Sequence, residues 1–453
     1  MPLSLRWILL LAFLLRSTIF GAAYFSLRDS TTFYAKDTWS YLQPTIEWLQ
    51  VGTYTTHGEP ELFRTPGYAV FLGFGLQFGQ VELITILLQI LLSCLTTYLI
   101  YRLALEMLND ERPALWSALA YSLESLSIIA CSWLLSETLY VALLAIALFA
   151  LLRFLNGRSY FQLILATLSF TAAVYVRPIG YFLPLVLTIA MLLWSVAKRD
   201  WQLVKPALLL CMLSFVLLGA WQIRNYRQTG YTGFSVAMTY NLYFHQIATI
   251  EAHQQRRPFY EVLDEIGFYD HEKYLAKHPE QRSWTLAERY EFMQREGLSA
   301  VWRAPRIFTQ SYLRGLAIAL FDPGAVEYSR LFRRYPRSGR LLNTMVGEGV
   351  TAVVYNIITQ QPWLFALSAI LGLWLILLYA LALLGLHRQP FSLPLFLLLT
   401  TAIYHLALSG GTWASGRFRM PLMMVVCILA GTGFSKAIPK LTQRIANRLH
   451  HNR

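Results

Sequence analysis

The stretch Trp7–Tyr24, WILLLAFLLRSTIFGAAY, is the first of a series of leucine-dominated apolar runs that recur along the chain. Runs of roughly 20 such residues are long enough to cross a hydrocarbon core about 30 Å thick. The surrounding sequence has the matching composition: its 453 residues are 56% hydrophobic, 15% aromatic and only 14% charged. A soluble domain carries about a quarter charged residues. In lipid a segment must satisfy its own backbone hydrogen bonds, so runs of this kind are helices. The expected fold class is therefore all-α, a polytopic helical membrane protein of about ten spans. The spans are expected near 6–27, 82–103, 113–131, 133–153, 160–177, 181–197, 203–223, 363–386, 391–409 and 418–436. Trp7–Tyr24 has no small-residue cleavage site behind it and reads as a retained signal anchor.

Basic residues decide the orientation. With the N-terminus inside, the short cytoplasmic loops hold Arg102, Arg112, Arg153, Arg158, Lys198, Arg199, Lys205 and Arg388, and the tail adds Lys436, Lys440, Arg444, Arg448 and Arg453. The reverse orientation would put this set outside, against the positive-inside rule. Both termini are thus expected in the cytoplasm of a bacterial-type inner (plasma) membrane. The same clustering explains the net charge of +13 without nucleic acid as a partner. Cys94, Cys131, Cys211 and Cys427 lie in or beside apolar runs without metal-ligand spacing and read as small core residues.

Four regions follow: 1–224, a membrane module that includes a first outer loop at 28–81; 225–362, an outer region with amphipathic helices; 363–436, C-terminal membrane helices; and 437–453, a basic cytoplasmic tail. In the outer region, SWTLAERYEFMQREGLSAVW has Thr285 or Ser283 as a helix N-cap with Glu288 behind it, as in a capping box. The apolar half of 305–321 is too short to span once Arg314 is counted, and it reads as a helix at the membrane surface.

Against this topology the ionisable residues gather at one face. Asp37 and Arg64 are in the first outer loop, Glu137 starts the fourth span, Arg177 ends the fifth, Arg224 closes the seventh, and Arg417 and Arg419 open the tenth. Each has a plain structural reading: an arginine can be a snorkelling anchor, Glu137 can suit a helix N-terminus, and Asp37 can cap TWSYLQPTIEWLQ. Anchors scatter over both faces, however, and outer-side arginine runs against the orientation bias. Their convergence points to an anion site at the interface, with arginines binding phosphate and a carboxylate placed for general-base work. A phosphate on a lipid would enter sideways and a polar acceptor from water. Walker, dinucleotide, His-Glu-x-x-His and G-x-S-x-G motifs are missing from the sequence.

In order along the chain, KDTWSY, VGTY, FRTPGY, LSETLY, VRP, IRNYRQTGY and GRFRMP resemble the GT-C glycosyltransferases. The similarity is to the branch of protein O-mannosyltransferases and the lipid A aminoarabinose transferase. It covers almost the whole chain and does not specify the acceptor. The resemblance implies a GT-C-like fold and inverting transfer of a sugar from a polyprenyl-phosphate carrier to a glycan, lipid or protein acceptor outside the cytoplasm. It also implies that Asp37 is the first-loop carboxylate that acts as base or positions the acceptor, and that Glu137 is the second acid. Arg64, Arg177, Arg224, Arg417 and Arg419 match basic positions that contact the donor phosphate or brace the loops. Family members often carry a second acid beside the first; Thr38 follows Asp37 here, so no metal and no cofactor are expected. Tyr41 and Tyr68, with Tyr34, Trp39 and Tyr54, offer rings for sugar stacking or for an interfacial aromatic belt. The competing readings are a transporter or flippase for a lipid-linked sugar, which requires charges at mid-span and broken helices, and a polysaccharide polymerase or ligase.

Overall fold

A computed structural model describes residues 2–334 and 361–451, with side chains to residue 435. Residues 335–360 of the outer region, and the side chains of Lys436, Lys440, Arg444, Arg448 and Arg453 in the basic tail, lie outside the described residues. Among the described residues the chain is helical apart from one two-stranded hairpin, β1 (Thr55–Thr56) and β2 (Glu59–Pro60), paired antiparallel with Thr55 opposite Pro60.

The helices in order are α1 (Leu3–Leu27), α2 (Thr38–Val51), α3 (Pro66–Gln77), α4 (Val81–Leu108), α5 (Glu111–Ser122), α6 (Ser125–Ile129), α7 (Glu137–Gly157), α8 (Tyr160–Val176), α9 (Leu183–Lys198) and α10 (Val204–Thr229). They continue as α11 (Ala237–Tyr240), α12 (Ile247–Gln255), α13 (Phe259–Glu265), α14 (His271–Lys277), α15 (Leu286–Arg303), α16 (Pro305–Phe321), α17 (Ala325–Leu331), α18 (Pro362–His387), α19 (Leu393–Ala407) and α20 (Met420–His451). Each expected span falls on helix, with 113–131 divided between two helices. Among the described residues seven helical segments are long and apolar enough to cross a membrane, or up to eight if the bent pair α5–α6 is one span; α8 and α19 are shorter apolar helices. The chain is an integral membrane protein.

The expected straight span at 113–131 needs correction, because it bends by 58° between Ser122 and Ser125. The bend has a visible cause. The Glu124 carboxylate accepts a hydrogen bond from the Ser127 amide and caps a new helix start. The carbonyl of Ser122, released by the break, accepts from Arg16 Nη1 at 3.2 Å. Arg16 lies in the middle of α1 and is fully buried. It also donates to Ser93 Oγ (2.8 Å), the Ala12 carbonyl (3.1 Å) and Ser127 Oγ (3.2 Å). Ionisable residues are therefore not confined to one end of the bundle, as the sequence suggested. Arg16 and Glu124 sit inside it as braces whose bonds go to protein atoms.

Small residues let helices approach closely, which matters in lipid because apolar surface gives helices no reason to associate. A Cβ at Gly385 on α18 would overlap the Leu429 carbonyl of α20, and one at Gly433 would overlap the Leu381 carbonyl of α18. Segments 28–80 and 230–334 stand at the end of the bundle where α1 finishes and α7 begins. The second segment has its own core of Tyr243, Phe244, Leu263, Tyr274 and Met293. The expected capping box is present: Thr285 Oγ1 accepts from the Glu288 amide while Glu288 accepts from the Thr285 amide.

Candidate active site

The first loop is tied to the start of α7 by backbone. The Leu134 amide donates to the Phe33 carbonyl (3.0 Å), and Thr38 Oγ1 donates to the Leu134 carbonyl (3.0 Å). These two bonds bring Asp37, just before α2, beside Glu137, the first residue of α7. Asp37 makes no side-chain cap bond to α2, so the capping explanation for it does not hold. The RTPG turn positions Arg64 by close approach. Pro66 starts α3, and a Cβ on Gly67 would lie 2.6 Å from the Tyr175 carbonyl carbon and oxygen near the end of α8. Only glycine allows α3 to sit against the backbone that leads into Arg177.

Five charged side chains form a chain of alternating sign. Arg64 Nη2 is 3.5 Å from Asp37 Oδ1, and Arg417 Nη2 is 3.7 Å from Asp37 Oδ2. Arg417 Nη1 is 3.4 Å from Glu137 Oε1, to which Arg177 Nη1 approaches at 2.8 Å. Three guanidiniums and two carboxylates leave a net charge of +1 on the cluster. Glu137 is nearly buried, whereas the Asp37 side chain is 39% exposed. Glu137 Oε2 and Arg417 Nε and Nη1 are buried without a hydrogen-bond partner, and orphaned groups of that kind are expensive unless something binds there. Glu137, Arg177 and Arg417 line a small open cleft whose remaining wall includes Val141, Ile179, Phe418 and Pro421. Such a set can hold an anion attached to an apolar tail, with a half-exposed carboxylate at its edge able to accept a proton.

The other expected residues separate into contacts and braces. Tyr41 is buried; its hydroxyl accepts from Arg64 Nη1 (2.9 Å) and shares a hydrogen bond with Ser136 Oγ (2.9 Å). Tyr68 is fully buried, packs its ring edge-on to Tyr41 and donates to Gln89 Oε1 at 3.0 Å. Arg224 lies apart from the charge chain. It donates to the Glu61 carbonyl (2.8 Å) and the Tyr54 carbonyl (2.6 Å), gripping the β1–β2 hairpin. Arg419, 1% exposed, pairs with Glu124 at 3.6 Å and donates to the carbonyls of Ala319 and Asp322. The Gly416 amide donates to Asp322 Oδ2 at 3.3 Å, so the turn after α16 holds the strap that carries Arg417.

Sequence reasoning missed three contributors. Asp322 and Glu124 hold that strap from segments that looked irrelevant, and His245 lies against Trp413, with ring centroids 4.5 Å apart and planes at 11°. The only local signal was the Gly-Gly-Thr-Trp-Ala-Ser-Gly run, 410–416, just ahead of Arg417. Among the described residues no three His, Cys, Asp or Glu side chains group as metal ligands.

The model of the family described as dolichyl-phosphate-mannose-protein mannosyltransferase matches residues 64–223. That match runs from Arg64 through Glu137 and Arg177. No curated protein matches the chain in sequence. Among solved structures, the Archaeoglobus fulgidus oligosaccharyltransferase in its apo form is similar over 98% of this chain and 52% of its own, at 14% identity and TM-score 0.51. The archaeal oligosaccharyltransferase AglB from the same organism, in complex with an inhibitory peptide and a dolichol-phosphate, covers 98% and 52% at 15% identity and TM-score 0.49. ArnT from Cupriavidus metallidurans, bound to undecaprenyl phosphate, covers 93% and 77% at 14% identity and TM-score 0.41. The chain spans about half the length of the archaeal oligosaccharyltransferase it resembles. The family model thus matches about a third of the chain, and the fold is similar to that of the apo archaeal oligosaccharyltransferase along almost all of it.

Proposed function

We propose that the protein transfers a sugar from a polyprenyl-phosphate carrier to an acceptor outside the cytoplasm, with inversion at the anomeric carbon. The observation that carries this reading is the alternating chain Arg64–Asp37–Arg417–Glu137–Arg177 at the rim of a partly apolar cleft. A net charge of +1 with unspent Arg417 donors suits a lipid phosphate, and the apolar wall suits its first isoprenyl units. The acceptor nucleophile forms its bond to the anomeric carbon as the bond from that carbon to the phosphate oxygen breaks. The acceptor's proton passes to Asp37, and polyprenyl phosphate leaves with its charge held by Arg177 and Arg417. Preorganised donors of this kind contribute about 3–4 kcal/mol each to such a step. Glu137 keeps the two arginines in place, and Arg64 with Tyr41 holds Asp37 in position. Arg224, Arg419 and Tyr68 support the loops.

Residues 1–224 supply four of the five charges and 363–436 the fifth, so the two regions act as one catalytic unit. The topology we propose has both termini in the cytoplasm of a bacterial-type inner membrane and the site on the opposite face. The buried mid-helix Arg16 and the bent α5–α6 are features a transporter would have, but the bonds of Arg16 end on protein atoms at the bend. That favours the enzyme over the transporter. The test is to incubate purified protein with a panel of polyprenyl-phosphate sugars and to follow sugar release and polyprenyl phosphate formation. Failure to bind or consume any donor defeats the proposal.

A further inference from the structure

We propose that His245 contacts the acceptor, and that the acceptor it receives is a neutral polyhydroxyl compound such as a glycan end. This rests on the transferase reading above and extends it to the second substrate. His245 is 3% exposed, yet its Nδ1 has no hydrogen-bond partner. The next residue, Gln246, likewise has a buried Oε1 with no partner. Buried polar atoms are paired in the great majority of cases, so two adjacent orphans mark a place where something else binds. Both occur in the widened turn Asn241–Gln246, a π-helix between α11 and α12, and such turns gather at functional sites.

The position fits an acceptor. His245 lies flat on Trp413, four residues ahead of Arg417 in the strap, and the Lys36 ammonium is 5.8 Å from the Trp413 ring. Lys36 precedes Asp37, the proposed base. The imidazole is near enough for the Asp37 charge to act on it, on the segment packed with α13–α15. The cleft wall of Val141, Ile179 and Phe418, proposed for the lipid, comes from α7, the turn ahead of α9 and the turn ahead of α20. The chemistry fits a neutral ligand. Burial pushes the His245 pKa down to about 4 although the Asp37 charge pulls it up, so the ring is uncharged near neutral pH. An uncharged imidazole and an amide oxygen suit hydroxyl groups, whereas an amine would call for an acid and an anion for an arginine. A purely structural role is already filled by another residue: Thr249 Oγ1 is 2.6 Å from Thr412 Oγ1 and pins the strap without the imidazole nitrogens.

The experiment compares wild type, His245→Phe and His245→Gln in full-length protein, with methyl α-glucopyranoside as acceptor probe and ethanolamine as amine control. Phenylalanine keeps the ring on Trp413 and removes the nitrogens; glutamine restores a hydrogen-bonding end. Three quantities are read: transfer to the glycoside, donor hydrolysis by water without acceptor, and glycoside binding by saturation-transfer NMR. His245→Phe should lower kcat/KM for the glycoside roughly 3- to 10-fold, as loss of one hydrogen bond does. It should leave donor hydrolysis unchanged and weaken the NMR signal, with His245→Gln recovering part of the loss. The inference is overturned if transfer and binding are unchanged in His245→Phe, if hydrolysis falls in step with transfer, or if ethanolamine is the better acceptor. Absence of any donor consumption by wild type would instead defeat the transferase reading, and the NMR comparison would still decide whether His245 binds the glycoside.

Discussion

Replacing Asp37 with asparagine should separate catalysis from stability. The carboxylate is 39% exposed, caps no helix, and sits 3.5 and 3.7 Å from its two arginines, too far for a strong hydrogen bond. Ion pairs this open contribute about 0–1 kcal/mol each, and asparagine has the same size. The folding loss should therefore stay under about 2 kcal/mol, a shift of only a few degrees in Tm. A general base in the transition state is worth roughly 10²–10⁴ in rate, or about 3–5 kcal/mol of barrier. Transfer of labelled sugar from a polyprenyl-phosphate donor should fall by two to four orders of magnitude while the melting curve hardly moves. Donor affinity should hold or rise slightly, since the charge of the cluster goes from +1 to +2 when one of its two carboxylates is neutralised. Wild-type turnover in Asp37→Asn, or a loss of folded protein large enough to account for the lost activity, would refute the reasoning.

Glu137→Ala strands Arg177 and Arg417 with no shared carboxylate and should destabilise the protein by about 3–5 kcal/mol; a melting temperature equal to wild type would mean that the pair does not hold the site. Gly385→Leu drives a side chain into the α20 backbone and should cost about 1–3 kcal/mol or more. Gly372→Leu on the same helix meets open space and should be silent, and equal behaviour of the two in thermal unfolding would count against the tight seam. His245 has a folded pKa near 4, below its ordinary 6.5, so the unfolded chain binds more protons between these values. Its contribution to stability is present above about pH 6.5 and is lost as pH falls toward 4. Wild type should therefore lose more Tm between pH 7.5 and 4.5 than His245→Phe does, and an identical drop in both would remove His245 as the cause.

The apolar helices were legible because hydropathy marks them, although among the described residues only seven or eight of the ten expected spans are long enough to cross; the charge cluster was legible because its members sit at or beside helix ends. The bend at Ser122–Ser125 was not, because it depends on Glu124 capping Ser127 and on Arg16 reaching across from α1, a pairing no local pattern encodes. The division of labour among the arginines was hidden for a related reason. Arg224 and Arg417 look alike in sequence, but one meets the carbonyls of a hairpin and the other meets two carboxylates. His245 was invisible because its meaning comes from Trp413, 168 positions further along the chain.

Arg16 has a consequence for how the protein is made. A charge at the centre of a lone helix resists entry into lipid, by about 2.5–3.5 kcal/mol during insertion. The side-chain hydroxyls and the carbonyl that accept from Arg16 on other helices come 77, 106 and 111 residues later, at Ser93, Ser122 and Ser127. While the ribosome is still making α2 and α3, α1 must therefore wait with an unmet guanidinium, at the translocon wall or with its end drawn toward the surface. It can settle only once α4 and the bent pair arrive. Nascent chains halted before Ser93 should hold α1 loosely enough to be extracted by alkali, whereas chains extending past Ser127 should retain it.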